Sequence, residues 1–150
     1  MDLTIIDDNV RFGVRTAAII LNSNKTKILL QKVKDIYMLP GGRMHTGEDS
    51  YDAIKRELVE ELNLNKDVTF KFSAEVITNL PDGRLYHELG YYYSVIYDET
   101  SDNQFKTNDA NDGEVYFKWF NLTELDNLKF IPKKLIPYLN VDTPTHLIIK

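Results

Sequence analysis

The sequence predicts a single α/β domain of the α+β kind, with strands before and after one well-marked helix. Three observations carry the prediction. Residues 50–62 (SYDAIKRELVEEL) repeat apolar side chains at helical spacing, residues 67–79 and 85–97 are two long runs rich in Phe, Val, Ile and Tyr, and residues 13–21 (GVRTAAIIL) form a buried apolar run.

In chain order, a short N-terminal segment is interrupted at Asp7, Asp8 and Asn9. Residues 13–21 then read as a buried strand whose one charge is Arg15. Asn22-Ser23-Asn24-Lys25 turns the chain into residues 27–32 (KILLQK), so the two runs are expected to form a hairpin. Residues 37–39 fit a short strand. Pro40-Gly41-Gly42 breaks any regular element and requires a loop in which glycine lets the backbone pass close to another group. The helix follows Asp49, a residue suited to N-capping, and carries Asp52 in its first turn, where negative charge suits the helix dipole. It stops at Asn63, which accepts a left-handed conformation. Pro81-Asp82-Gly83 is turn chemistry, so 67–79 and 85–97 pair as a long hairpin. Along its second strand Leu89, Tyr91, Tyr93, Val95 and Tyr97 alternate onto one face and Glu88, Tyr92 and Ser94 onto the other, with Gly90 the position for a bulge. Residues 98–113 hold almost no apolar side chain and read as a mobile surface loop. Residues 114–120 (EVYFKWF) resume strand character and 123–128 fit a short helical turn. Pro132 suits a helix start ahead of KKLIPYL, and the C-terminal THLIIK suits an edge strand.

At 150 residues, 43% of them apolar, the chain is sized for one domain, 1–150, with an ordinary core. No repeat or linker divides it. The lack of cysteine excludes disulfides and thiolate metal sites, and His45, His87 and His146 are too widely spaced for a zinc motif, which leaves oxygen ligands for a hard cation. No run approaches the roughly 20 apolar residues of a membrane span, and the first residues lack a basic start followed by an apolar stretch. No membrane partner and a cytoplasmic location are therefore expected. With 18 basic and 23 acidic residues the net charge is -5, which disfavours a long nucleic acid as partner. A small phosphorylated ligand whose charge is offset by bound cations is compatible with this balance, as is a homodimer.

Set at 100° per residue, Ala53, Glu57, Glu60 and Glu61 occupy one side of the helix, and Ile54, Leu58, Tyr51 and Leu62 the neighbouring side. Like charges at spacings of three and four repel by a few tenths of a kcal/mol per pair on an exposed helix, and a bound cation reverses that penalty. Carboxylates with a backbone carbonyl are the ligands that Mg²⁺ prefers. Arg56, one turn before Glu60, is placed to orient a carboxylate. Taken alone, an acidic face is also what a solvated helix shows.

From Gly42 onward the chain resembles the Nudix box: Gly, five residues, Glu, seven residues, Arg-Glu, an aliphatic, any residue, Glu-Glu, any residue, Gly, an aliphatic. Those positions are Gly42, Glu48, Arg56, Glu57, Leu58, Glu60, Glu61, Asn63 and Leu64, with Asn63 the one departure. Asparagine adopts the same backbone conformation as the missing glycine. The resemblance implies the Nudix fold, a mixed sheet sandwiched between α-helices, and a metal-dependent, MutT-like hydrolase acting on nucleoside diphosphates linked to another group. It implies Mg²⁺, with Mn²⁺ as a substitute, held by Gly42, Glu57, Glu60 and Glu61, with Glu48 and Arg56 behind them. Glu57 or Glu61 is the candidate base, and Glu114, at the end of the polar loop, is a second candidate or else a solvated strand-start residue. The other readings are a non-catalytic sensor of a nucleotide or ADP-ribose derivative and a 5′-end processing enzyme on RNA.

Candidate substrate contacts lie outside the box. Arg15 is placed to reach a phosphate or nucleoside, or to form an ion pair at the sheet edge. Lys32 and Arg43 flank the approach to the box and suit phosphate oxygens. Tyr37, Tyr91 and Tyr93 can stack on a base or pack in the core. Glu88, beside His87 on the strand leaving the Pro81 turn, either faces the metal site or pairs as a surface charge.

Overall fold

The computed structural model describes residues 1–98, 105–109, 113–142 and 145–150. Its helix α1 (Ser50–Leu62) has the predicted bounds. Asp49 caps it, Oδ1 accepting the Asp52 N–H at 2.9 Å. At the other end Asn63 takes φ 51° and ψ 36°, and the N–H groups of Asn63 and Leu64 return to the carbonyls of Val59 and Leu58 at 3.0 and 3.1 Å. A Cβ is strained in that conformation unless the side chain compensates locally. Asn63→Ala is therefore expected to lower the unfolding free energy by about 1 kcal/mol, and Asn63→Gly to leave it equal or higher, as read from urea denaturation.

Among the described residues ten strands share one sheet. They are β1 (Thr4–Ile6), β2 (Val10–Leu21), β3 (Lys27–Val33), β4 (Ile36–Met38), β5 (Gly41–Arg43), β6 (Thr69–Asn79), β7 (Leu85–Ile96), β8 (Phe105–Asp109), β9 (Gly113–Asn121) and β10 (His146–Ile149). The main order is β10-β6-β7-β2-β3-β9-β8, with β1 and β5 against β2 and β4 against β3. The sheet is mixed: β6 and β7 form the predicted antiparallel hairpin, while β2 runs parallel to β7 from Val10 beside Leu85 to Leu21 beside Ile96. β10 adds to the β6 edge in parallel.

Alternation along β2 sends Ala18 and Ile20 to the α1 side, where they pack with Leu29, Ile54, Leu58, Leu62, Tyr93 and Val95. Ala17, Ile19 and Leu21 go to the opposite face with Phe72, Tyr92, Phe120, Phe130 and Leu135. Two 3₁₀ helices, Leu122–Asn127 and Lys133–Tyr138, cover that face in place of a second α-helix. Pro137 inside the second has no N–H to donate and a ring that opposes α-helical propagation. No helix among the described residues is long and apolar enough to cross a membrane.

Three elements differ from expectation. β2 and β3 pair only at Leu21 and Ile28 and then diverge, and β5 takes the place beside β2, with Ala17, Thr16 and Arg15 opposite Gly41, Gly42 and Arg43. The predicted loop is thus a short strand. Gly41 has φ +150°, and a Cβ there would lie 2.1 Å from the Thr16 carbonyl oxygen, so only glycine lets the two backbones meet this closely. Second, the β6–β7 irregularity falls between Phe70 and Phe72, whereas Gly90 stays in register with Ala74. Its missing side chain makes room for the Tyr92 ring, which a Cβ would approach to 2.8 Å. Third, residues 105–109 of the expected mobile loop form β8, antiparallel to β9. A strand is formed by its backbone ladder, so a lack of apolar residues does not exclude one. Residues 99–104 and 110–112 of that stretch lie outside the described residues.

Candidate active site

The divergence of β3 from β2 leaves β5 beside the start of α1, and the box residues gather there. Fully buried Thr16 of β2 donates from Oγ1 to the Ser50 carbonyl at 3.3 Å, and Ser50 Oγ and Tyr93 OH share a 2.7 Å hydrogen bond. These contacts tie the first turn of α1 to the sheet. Arg56 then joins β5, the helix approach and α1. Its Nε and Nη2 donate to the two Glu48 carboxylate oxygens at 3.1 and 2.6 Å, Nη2 also to the Arg43 carbonyl at 3.1 Å, and Nη1 to Glu57 at 2.8 Å and Glu60 at 3.2 Å. Glu48 further accepts the His45 N–H at 2.7 Å. The hydrogen bonds from Arg56 are the main cause that draws the Glu48 carboxyl down to about 2.

The three helix carboxylates stand in different environments. Glu57 is 8% exposed, and its carboxylate fills the space a side chain on Gly42 would occupy. Burial pushes its pKa up; Arg56 works against the rise and Glu60 adds to it. Burial also raises Glu61, to about 8, with the Glu57 charge adding and Arg15 and the Gly41 backbone opposing. Glu60 is turned outward, its side chain 56% exposed and held by Arg56.

On the opposite face of the sheet lies a second polar group. The registers set Arg43 beside Arg15, and Gly13 beside Glu88. Arg15 donates to the Leu39 carbonyl at 2.8 Å. Glu88, 6% exposed, accepts a hydrogen bond from Tyr86 OH and lies 3.9 Å from Arg43 Nη1. Burial, then the Glu88 charge, pushes the Tyr86 phenol up, which keeps it a donor.

The NUDIX domain family model matches residues 12–139, most of the chain. The chain belongs to the Nudix family. The solution structure of the Escherichia coli ORF135 protein is 22% identical over 85% of this chain and 86% of that one, with a TM-score of 0.52. The mutator MutT protein of Bacillus halodurans (17% identity, 90% and 85% covered) has a TM-score of 0.65. The MutT protein of Methanosarcina mazei Go1 (15%, 89% and 94%) has 0.58. At these identities the likeness is one of fold. No curated relative matches significantly. As a Nudix domain the chain is a pyrophosphohydrolase in the general sense, of a family that uses a divalent metal and acts on small nucleotide-type substrates.

The donor chemistry of this Nudix box fits such a cation. Glu57, Glu60 and Glu61 lie within two turns, with the Gly42 backbone against Glu57, and burial, with a smaller contribution from the neighbouring carboxylates, raises Glu57 and Glu61, a cost to their ionised forms that a cation would relieve. Among the described residues no three acidic or histidine side chains are gathered into a ligand cluster. Arg56 Nη1 is shared by Glu57 and Glu60. The angular projection put the three acids in one stripe; in the structure Glu60 stands exposed and is bridged to buried Glu57 through Arg56 Nη1.

Of the other candidate residues, Arg15, Arg43 and Glu88 come together, on the face of the sheet away from α1. Glu88 is buried and not a surface charge, and the Arg15 charge couples to Glu88 and to the helix carboxylates Glu57 and Glu61 alike. Lys32 and Tyr37 stand across the opening on β3 and β4, the ammonium 5.7 Å from the ring centroid. The Tyr37 ring meets Phe120 edge-on at 5.1 Å and packs on the core, and Tyr91 and Tyr93 pack on the α1 side. The backbone of Glu114 stands in β9 opposite Asn108, and its side chain lies outside the described residues. Sequence reasoning missed Tyr86 and Gly13. Tyr86 carried a signal, since two residues along a strand from Glu88 is the same face. Gly13 joins the group through the parallel β2–β7 register, which no local pattern encodes.

Proposed function

We propose that residues 1–150 act as one Mg²⁺-dependent domain that cleaves a pyrophosphate bond in a nucleotide-type small molecule by attack of water at phosphorus. The observation that carries this is Glu57, buried against Gly42 and held by Arg56, with the half-buried Glu61 one turn further on against the Gly41 backbone. Glu57, Glu60, Glu61 and Gly42 would hold the cation, which when bound would neutralise phosphate charge and lower the pKa of an attacking water. Glu61, with its pKa near neutrality, is suited to exchange a proton with that water, and Glu57 is the second candidate for this role. Arg56 fixes Glu57 against Gly42 and holds the Arg43 carbonyl, so the substrate-facing backbone and the carboxylates keep one geometry.

The test is a panel of nucleoside triphosphates, oxidised nucleotides, ADP-ribose, dinucleoside polyphosphates, nucleotide sugars and capped RNA, with and without Mg²⁺. Phosphate and pyrophosphate release would be measured separately. Cation-dependent cleavage of at least one small nucleotide is expected. Binding by calorimetry with no product over many hours would instead favour a sensor.

Cation binding should also release a proton. With its pKa at about 8 in the metal-free fold, Glu61 holds a proton at pH 7 and must surrender it to ligate. Calorimetric titration with Mg²⁺ in buffers of different ionisation enthalpy should show release of close to one proton at pH 7, falling toward zero above pH 9. The same shift sets a stability slope. The folded pKa lies above the unfolded value of about 4.3, so the metal-free fold binds the extra proton and loses stability as pH rises through the window up to about 8.

A further inference from the structure

The box mechanism leaves the Arg43–Glu88 group unused, and its geometry leaves one donor unmet. Arg43 Nη1 is a buried donor with no hydrogen-bond partner among the described residues. Glu88 Oε2 is 3.9 Å away, beyond hydrogen-bond reach, and the Glu88 side chain is 9% exposed. Opposite charges this close normally complete a hydrogen bond; here the buried end of Arg43 and buried Glu88 stand side by side. Gly13 is the floor that permits it, since a Cβ there would lie 1.6 Å from Arg43 Nη1. Arg43 follows the box glycine directly and its carbonyl is held by Arg56, so this group adjoins the reaction centre through one residue.

We infer that Arg43 and Glu88 select the substrate by reading the lactam edge of an oxo-nucleobase, the ring N–H donating to Glu88 and the adjacent carbonyl oxygen accepting from Arg43 Nη1. This rests on the nucleotide reading above and narrows it. The 3.9 Å spacing suits two parallel hydrogen bonds to neighbouring atoms of one planar edge. A guanidinium only donates, and carbonyl oxygen is the better acceptor for it; a carboxylate beside a phenol donor accepts, and the lactam N–H is a stronger donor than an exocyclic amine. Arg15, across from Arg43 on β2, makes the group net positive, which further favours a carbonyl over an amino substituent at that edge.

The experiment compares binding of GMP, IMP and UMP with AMP and CMP to the metal-free protein. It then compares kcat and KM for the corresponding triphosphates with Mg²⁺. The wild type is expected to bind the lactam set at least about tenfold more tightly, and Glu88→Gln to bring the two sets within about threefold, with the change in KM for the lactam substrates. Arg43→Lys, which keeps the charge but withdraws the fork, should erode the same preference and serves where Glu88→Gln does not fold by circular dichroism. Equal affinity for all five nucleotides in the wild type, or a preference unchanged in the folded variants, would overturn the inference. Base-selective binding without hydrolysis would sink the hydrolase reading alone; hydrolysis of all five at equal kcat/KM would sink this one alone.

Discussion

Replacing Glu57 or Glu61 by Gln is expected to lower turnover by about a hundredfold or more while the fold survives. The two substitutions should differ in stability, and the difference tests the electrostatics. Gln at 61 removes a carboxylate that burial and the Glu57 charge destabilise, so above pH 8 the metal-free variant should melt at or above the wild-type temperature. Gln at 57 keeps an amide oxygen for Arg56 Nη1, now 2.8 Å from Glu57 Oε1, but loses the charge that pairs with the guanidinium. Its melting temperature should fall slightly. Turnover would be measured at saturating Mg²⁺ with the best substrate of the panel, and stability by thermal melts in chelator. Rates near wild type in both variants would remove the proposed mechanism.

The parts of this molecule that were legible in the sequence are those fixed by neighbours along the chain. Asp49, Asp52 and Asn63 bound α1 because capping and left-handed termination act within one turn, and the Pro81-Asp82-Gly83 turn sets its hairpin for the same reason. The box acids were legible as a spacing. What stayed hidden depends on pairing between distant strands. The exchange of β3 for β5 beside β2 turns a glycine-rich stretch from loop into strand, and the parallel β2–β7 register puts Gly13 next to Glu88. Side-chain competition was hidden too. A helical projection places Glu57, Glu60 and Glu61 together, whereas in the fold Glu60 stands exposed and shares Arg56 Nη1 with buried Glu57.

Gly42→Ala should separate activity from folding more cleanly than any change to a carboxylate. Gly42 does not have the positive φ of Gly41, so its backbone accepts alanine without conformational strain. The new Cβ would lie 2.4 Å from Glu57 Oε1 and 2.7 Å from Oε2, and this contact is with the end of a flexible side chain. Glu57 can swing away at small cost in stability, but only by leaving the position set by Arg56 and the β5 backbone. Turnover is therefore expected to fall by about a hundredfold, as for Glu57→Gln, with a melting temperature within a few degrees of wild type. Gly41→Ala is the contrasting control. There the Cβ would meet backbone, 2.1 Å from the Thr16 carbonyl oxygen and 2.8 Å from the Ala17 Cα, and neither atom can yield without parting β5 from β2. That variant should lose stability first, by about 2 kcal/mol or more, because strained φ and steric overlap act together. If both glycine variants lost stability equally and activity only in proportion, Gly42 would be a packing residue, and its place in the metal-binding set would have to be given up.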